Sequence, residues 1–201
     1  MARLPQAKSA DELRATPDDR YLSQISLRVF RAGLKHSLVD ARWPAFEEVF
    51  AGFVPQRVVA MSDEQLEALL DDRRLVRHWG KLKAVRDNAA AILALAEEQG
   101  GVGAYLADWP RDDTVGLWDD LGKRFSQMGG NSAPYFLRMV GKDTFILTEA
   151  VITGLNHWDA FKGQPRSKAD KRRVQEVFNA WRRLISRPLC QISMILALSV
   201  D

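Results

Sequence analysis

Two adjacent glycines, Gly129 and Gly130, followed by Asn131, Ser132 and Pro134, are the residues of this chain whose spacing best suits holding a phosphate. Glycine takes positive φ without steric cost, so the chain can turn sharply there. Asn131 or Ser132 can cap the helix that follows, and Pro134 belongs in its first turn, where no N–H partner is lost. A glycine hairpin feeding a helix N-terminus aims several backbone amides at one point. That arrangement binds an anion without needing any particular side chain. Further along, Thr148 reads as the N-cap of a helix over 149–155, which puts Glu149 in its first turn. A carboxylate there opposes the helix dipole, and it can also stabilise positive charge that develops on a reacting group nearby. Asp143, behind Gly141 and Lys142, is a second carboxylate and reads as a loop residue. Lys81, Lys83, Lys123, Arg124 and Lys142 are cations that can track a phosphate backbone.

The elements that must position these groups are helices. Residues 121–155 read as a short helix, the hairpin, a second short helix ending at Gly141, and an extended segment leading into a third. Phe136, Leu137, Met139 and Val140 give the second helix its apolar face. Val174, Val177, Phe178, Trp181, Leu184 and Ile185 recur at helical spacing, as do Leu82, Val85, Ala89, Ile92, Leu93 and Ala96. Ser62 with Gln65, and Ser167 with Asp170, are capping-box starts. No run of period-two alternation competes, so the chain is expected to be all-α. With 201 residues, 46% of them hydrophobic, it can bury one substantial core. Residues 1–20 are polar, carry Pro5 and Pro17, and read as an extension. Residues 21–201 form one helical domain in two lobes, and Trp118, Trp158 and Trp181 are expected in its core.

Cys190 is the single cysteine, which rules out an internal disulfide, and with three scattered histidines it gives no conventional zinc site. No metal and no cofactor are expected. No secretory segment or span of about 20 apolar residues appears, so a cytoplasmic location is expected. The formal net charge is only +3, but nine basic residues lie between Lys162 and Arg187 against Asp170 and Glu176. That run is either a solvated helix face or a phosphate-tracking surface.

The segment GGNSAPY followed by FILTEAV resembles the helix-hairpin-helix motif of the base-excision DNA glycosylase superfamily, with the motif over about 121–141. The superfamily's catalytic aspartate falls on Thr148, beside Glu149. Ala32–Phe50, with its AGL, and Val58–Leu93, with VRHWGKLKA at 76–84, resemble the N-terminal half of DNA-3-methyladenine glycosylase I, in the same order. The resemblance implies a two-lobed helical fold and an enzyme that extrudes a damaged base from duplex DNA and hydrolyses its N-glycosidic bond. The implied substrate is an alkylated, 3-methyladenine-like purine. No lysine matches the Schiff-base lysine of bifunctional members, so no lyase step is implied. The expected partner is damaged duplex DNA, bound by a monomer associated with the nucleoid.

The resemblance also assigns roles. Glu149 is the candidate catalytic carboxylate, stabilising an oxocarbenium-like sugar. Tyr21, Arg28, Phe30, His36, Trp43 and Trp79 fall in the segments that line the base pocket. Lys81, Lys123, Arg124, Gly129, Gly130, Asn131 and Ser132 are the implied DNA contacts. His78, in the RHWGK turn, either joins the pocket or holds the turn. The family's pocket glutamate lands on Arg28 and its pocket tryptophan on His36. A cationic Arg28 would repel a cationic base, so either the pocket reads a different lesion or Arg28 points elsewhere. The zinc clip typical of the family has no counterpart here. A non-catalytic DNA-binding module that kept the fold is the alternative these substitutions raise.

Overall fold

The computed structural model describes residues 4–200. Twelve α-helices and one 3₁₀ turn make up its regular structure, and no strand occurs among the described residues. The helices are α1 (Ala10–Arg14), α2 (Asp18–Arg31), α3 (His36–Val49), α4 (Pro55–Val59), α5 (Asp63–Ala68), α6 (Trp79–Gln99), α7 (Val102–Asp108), α8 (Thr114–Arg124), α9 (Ser132–Val140), α10 (Glu149–His157), α11 (Lys168–Ile185) and α12 (Leu189–Leu198). The 3₁₀ turn spans Ala51–Phe53.

Two aromatic clusters mark the lobes. In the first, α2 and α3 bring Phe30, Trp43, Phe46, Phe50 and Phe53 together, with Trp43 stacked on Phe46 at 5.0 Å and on Phe53 at 5.4 Å. In the second, Phe145 stacks on Phe178 at 4.4 Å, with Trp118 and Trp181 packed edge-on. Helices α2, α4, α6 and α7 surround the first cluster, and α8, α10, α11 and α12 the second. Helix α9 packs on α2, so the hairpin lies where the lobes meet.

The two expected capping boxes are present at Ser62–Gln65 and Ser167–Asp170. A third, Ser9–Glu12, starts α1, so the region expected to be a polar extension carries a docked helix. Leu13 is buried, Tyr21 Oη donates to its carbonyl at 2.8 Å, and the Lys8 amide donates to the Gly141 carbonyl at 2.8 Å. At Gly103 a Cβ would stand 2.4 Å from the Leu13 carbonyl oxygen, so only glycine lets α1 lie this close to α7.

The far end of α11 departs from expectation. Leu184 is 79% exposed, Ile185 52% and Trp158 59%, so these are surface rather than core residues. Trp158 lies at the end of α10, where its Nε1 donates to Ser199 Oγ at 2.9 Å. Helix α11 turns its Val174, Phe178 and Trp181 stripe inward, and that stripe runs out before the last turn of the helix. Among the described residues no helix is long and apolar enough to cross a membrane.

Candidate functional site

The hairpin joins α8 to α9 as the sequence implies. Asp113 caps α8, its carboxylate accepting from the Gly116 amide at 3.1 Å. Gly130 takes φ +60, and Gly141, at φ +89, ends α9. Asn131 occupies the N-cap position, yet its side chain makes no cap bond. The Ser132 amide closes the turn onto the Gly129 carbonyl at 3.2 Å. With the Ser132 amide taken and Pro134 lacking one, the anion-binding capacity of this turn rests on the backbone of the exposed Gly129, Gly130 and Asn131 that lead into α9.

Helix α6 sets where this hairpin stands. Asn88 is fully buried and clamps the Ser126 peptide from both sides. It accepts from the Ser126 amide at 2.6 Å and donates to the Ser126 carbonyl at 3.2 Å. One residue on, Gln127 sits at φ +61 and donates from Nε2 to the Gly80 carbonyl at 2.6 Å. These two ties fix the hairpin against the start of α6, whose N-cap is His78. His78 Nδ1 accepts from the Lys81 amide at 3.3 Å, so this histidine holds the turn.

Several expected contacts have other duties. Lys81 is buried, and its Nζ donates to the carbonyls of Ala32 at 2.6 Å and Phe30 at 3.3 Å. It closes the C-terminus of α2 and is withdrawn from any phosphate. Burial, and then the nearby Arg28, pull its pKa below that of a free lysine. Arg124 pairs with Asp120 at 2.7 Å and Glu98 at 2.9 Å, which neutralises it, whereas Lys123 is exposed and has no ion pair among the described residues. Lys142 donates to the Leu106 carbonyl, which fastens the end of α9 to α7. Asp143 caps α12, accepting from the amides of Leu189 at 3.0 Å and Cys190 at 2.9 Å.

The six aromatic, histidine and arginine positions expected around a pocket divide in the same way. Tyr21 and Phe30 are fully buried and present no surface to a ligand: Tyr21 is tied to the Leu13 carbonyl and Phe30 packs on Trp43 and Phe46. Trp43 is half-buried and pinned: its Nε1 donates to Ser23 Oγ at 3.1 Å, which donates in turn to Glu47 at 2.6 Å. Arg20 holds the same carboxylate with two bonds of 3.1 Å. His36 opens α3 exposed, and Trp79 opens α6 at 36% exposure. Arg28 points across to α9, where its guanidinium lies 4.8 Å from the centre of the Tyr135 ring. Tyr135, in the first turns of α9 just past the hairpin, is a site residue that the sequence reading does not contain. Only the α2–α9 contact reveals it, and no local pattern encodes that contact.

Glu149 lies in the first turn of α10, with Thr148 Oγ1 accepting from the Val151 amide at 3.2 Å, as expected from sequence. Its side chain is exposed and makes no hydrogen bond or ion pair among the described residues. Helix α10 itself packs on α12. Among the described residues no group of three histidine, cysteine or acidic side chains is placed to hold a metal ion.

The arrangement is therefore an exposed glycine hairpin at a helix N-terminus, a cation–ring contact of Arg28 and Tyr135 between α2 and α9, and an exposed carboxylate on the following helix. A 34% identical relative from Escherichia coli K12, DNA-3-methyladenine glycosylase 1, matches over 43% of this chain and 45% of its own length. The chain spans less than half the length of that relative, and likewise of a DNA-3-methyladenine glycosylase from Haemophilus influenzae. A crystal structure of 3-methyladenine DNA glycosylase I superposes with a TM-score of 0.56 at 25% identity, over 63% of this chain and 80% of that one. An 8-oxoguanine glycosylase/lyase from Methanocaldococcus jannaschii, solved with DNA, shares the fold over 94% of this chain and 85% of its own, with a TM-score of 0.53 at 13% identity. The methyladenine glycosylase family model matches residues 13–121, more than half of the sequence, and the chain belongs to that family.

Proposed function

We propose that this protein is a monofunctional DNA glycosylase that hydrolyses the N-glycosidic bond of an alkylated purine extruded from duplex DNA. The observation that carries the reading is the glycine hairpin between α8 and α9, held by Asn88 and Gln127, with α9 packed on α2 just past it. Amides at the α9 terminus hold backbone phosphates flanking the lesion. Lys83 and Lys123, both exposed, add long-range attraction, and the free cations of α11, among them Arg172 and Arg183, extend it.

In this mechanism the nucleotide swings out of the stack, and its base docks beside Tyr135 and Trp79. The C1′–N bond then lengthens toward an oxocarbenium-like sugar. The Glu149 carboxylate, on a helix that starts just beyond the hairpin, stabilises that positive charge. The base departs with the bonding electron pair, and water adds to C1′ and gives up one proton to the solvent.

Glu149→Gln tests the assignment, because it removes the charge and keeps the shape. The expected result is a single-turnover release rate lower by about a hundredfold or more with duplex affinity unchanged, the range seen when an electrostatic stabiliser is removed. An unchanged rate overturns the role of Glu149. The exposure of Glu149, with no bond tying it to α2 or α9, favours a second reading, a DNA-binding module without chemistry. Salt-sensitive duplex binding with no release of any base would establish that one.

A further inference from the structure

The far end of α9 borders a cavity that the hairpin does not use. The N-terminal arm, the turn from α7 to α8, and the Lys142–Asp143 segment line it, and its volume is about 290 Å³. The whole length of α9, about 14 Å of helix, separates it from the glycine turn. Leu13, Trp109 and Leu117 give it apolar walls, and Lys8, Arg111 and Lys142 bring cations to it. Trp109 is fixed in place, its Nε1 donating to the Asp113 carbonyl at 2.8 Å and its ring edge-on to Tyr105 at 5.5 Å.

The carboxylates around this cavity are engaged. Asp143 accepts from the amides of Leu189 and Cys190, Asp108 pairs with Arg14, Asp112 pairs with Arg182, and Glu12 accepts from the Ser9 amide. The cations are not. Lys8 and Arg111 make no ion pair and no side-chain hydrogen bond among the described residues. Half-buried Lys142 spends one of its three ammonium donors on the Leu106 carbonyl and has no other partner among the described residues. Burial pulls its pKa below that of a free lysine; Asp143 and Asp108 oppose that shift, and Arg111 adds to it.

An ammonium with unused donors, withdrawn from water beside an unpaired guanidinium, is stabilised by an anion. We infer that this cavity is a binding site for a small organic anion, a phosphate or carboxylate joined to a compact apolar body. The anionic group meets Arg111, Lys142 and Lys8, and the apolar body lies against Trp109, Leu13 and Leu117. A volume of about 290 Å³ is at the lower end for ligand pockets, so the occupant is a single-ring compound and a duplex cannot enter. Occupancy has a structural consequence. The Lys8 amide already donates to the Gly141 carbonyl at 2.8 Å, just before α1 begins. An anion shared by Lys8, Arg111 and Lys142 adds a second tie there, so the bound state holds the N-terminal arm more firmly.

Calorimetry and limited proteolysis of the whole protein test this with phenyl phosphate, benzoate, phenol and inorganic phosphate as probes. Phenyl phosphate or benzoate is expected to bind at least tenfold more tightly than phenol and than inorganic phosphate, and to slow subtilisin cleavage before residue 20. The tighter of the two identifies the anionic group. Arg111→Ala and Lys8→Ala, both at exposed positions, are expected to weaken that binding at least tenfold and to remove the protection. Arg57→Ala, on α4 outside the cavity, removes the same charge and is expected to change neither. Phenol binding as tightly as both anions, inorganic phosphate binding as tightly as phenyl phosphate, or no binding of any probe overturns the inference. Full affinity in Arg111→Ala overturns it as well.

Discussion

A buried ammonium with no carboxylate beside it survives only if carbonyls surround it, and Lys81 has two, at the end of α2. Replacing it with methionine keeps the packing and leaves those carbonyls unclosed. Lys81→Met is expected to lower unfolding stability by about 1–3 kcal/mol in urea denaturation, the cost of orphaning buried acceptors. The salt dependence of duplex binding is expected to stay as it is, and a fall in its slope would return Lys81 to the phosphate contacts. Cys190 provides a second residue-scale test. Burial, with Asp143 adding to it, pushes its thiol from 9.0 to about 11. Because the folded value lies above the unfolded one, the stability this thiol contributes is full below pH 9 and is lost as pH rises through about 11. Cys190→Ala is expected to flatten that alkaline arm of the stability profile. Native protein is also expected to resist alkylation at pH 8, where the thiolate is scarce, and to react once unfolded.

At the scale of elements, the hairpin is only as well placed as the ties that hold it. Asn88→Ala leaves both polar groups of the Ser126 peptide without their partner, which costs about 1–3 kcal/mol. It is expected to weaken duplex binding although no charge changes, a combination that binding and melting curves on one preparation would check. Gly103→Ala drives a methyl group into the Leu13 carbonyl and is expected to unseat α1. Faster proteolysis before residue 20 and a lower Tm would report it. Much at this scale was legible in the sequence. The capping boxes at Ser62 and Ser167, the Thr148 cap, the Gly130 turn and the Gly141 stop are local signals, each written within about four residues. The Ser9–Glu12 box is equally local and marks α1 by the same rule, but polarity and two prolines read as an extension. What could not be read was long-range. Whether α11 stays covered to its end depends on which helices reach it, so Leu184 and Ile185 kept helical spacing and lost their burial. Lys81 looks like a free cation in the sequence because its partners lie 49 and 51 residues away; of the two partners of Arg124, Asp120 is one helical turn back and only Glu98 is distant, 26 residues away.

For the whole molecule, the net charge of +3 is weak, and pairing ties up part of the cation run that could meet phosphates. Lys168 is bound to Asp119, Arg173 to Asp170 and Arg182 to Asp112, so α11 offers fewer free cations than its composition promises. Duplex affinity is therefore expected to show a shallow salt dependence. Lys123→Ala is expected to reduce the slope of log K against log salt by about 0.9, one phosphate contact, whereas Arg124→Ala leaves it unchanged. Equal effects at the two positions would mean that the Asp120 and Glu98 pairs open on DNA. The two-lobed helical architecture and the family were legible from the hairpin and the VRHWGKLKA turn, because both are contiguous. The Arg28–Tyr135 contact was not, because the two residues meet only after α2 and α9 pack. The central claim is that this hairpin and the helices around it release a modified purine from DNA. Its most direct test is a single-turnover reaction of wild-type protein with duplexes carrying one alkylated purine, the freed base being identified by chromatography. The account predicts a free purine and an abasic strand that stays unbroken until treated with alkali. Intact duplex recovered from every lesion, with binding preserved, would contradict it.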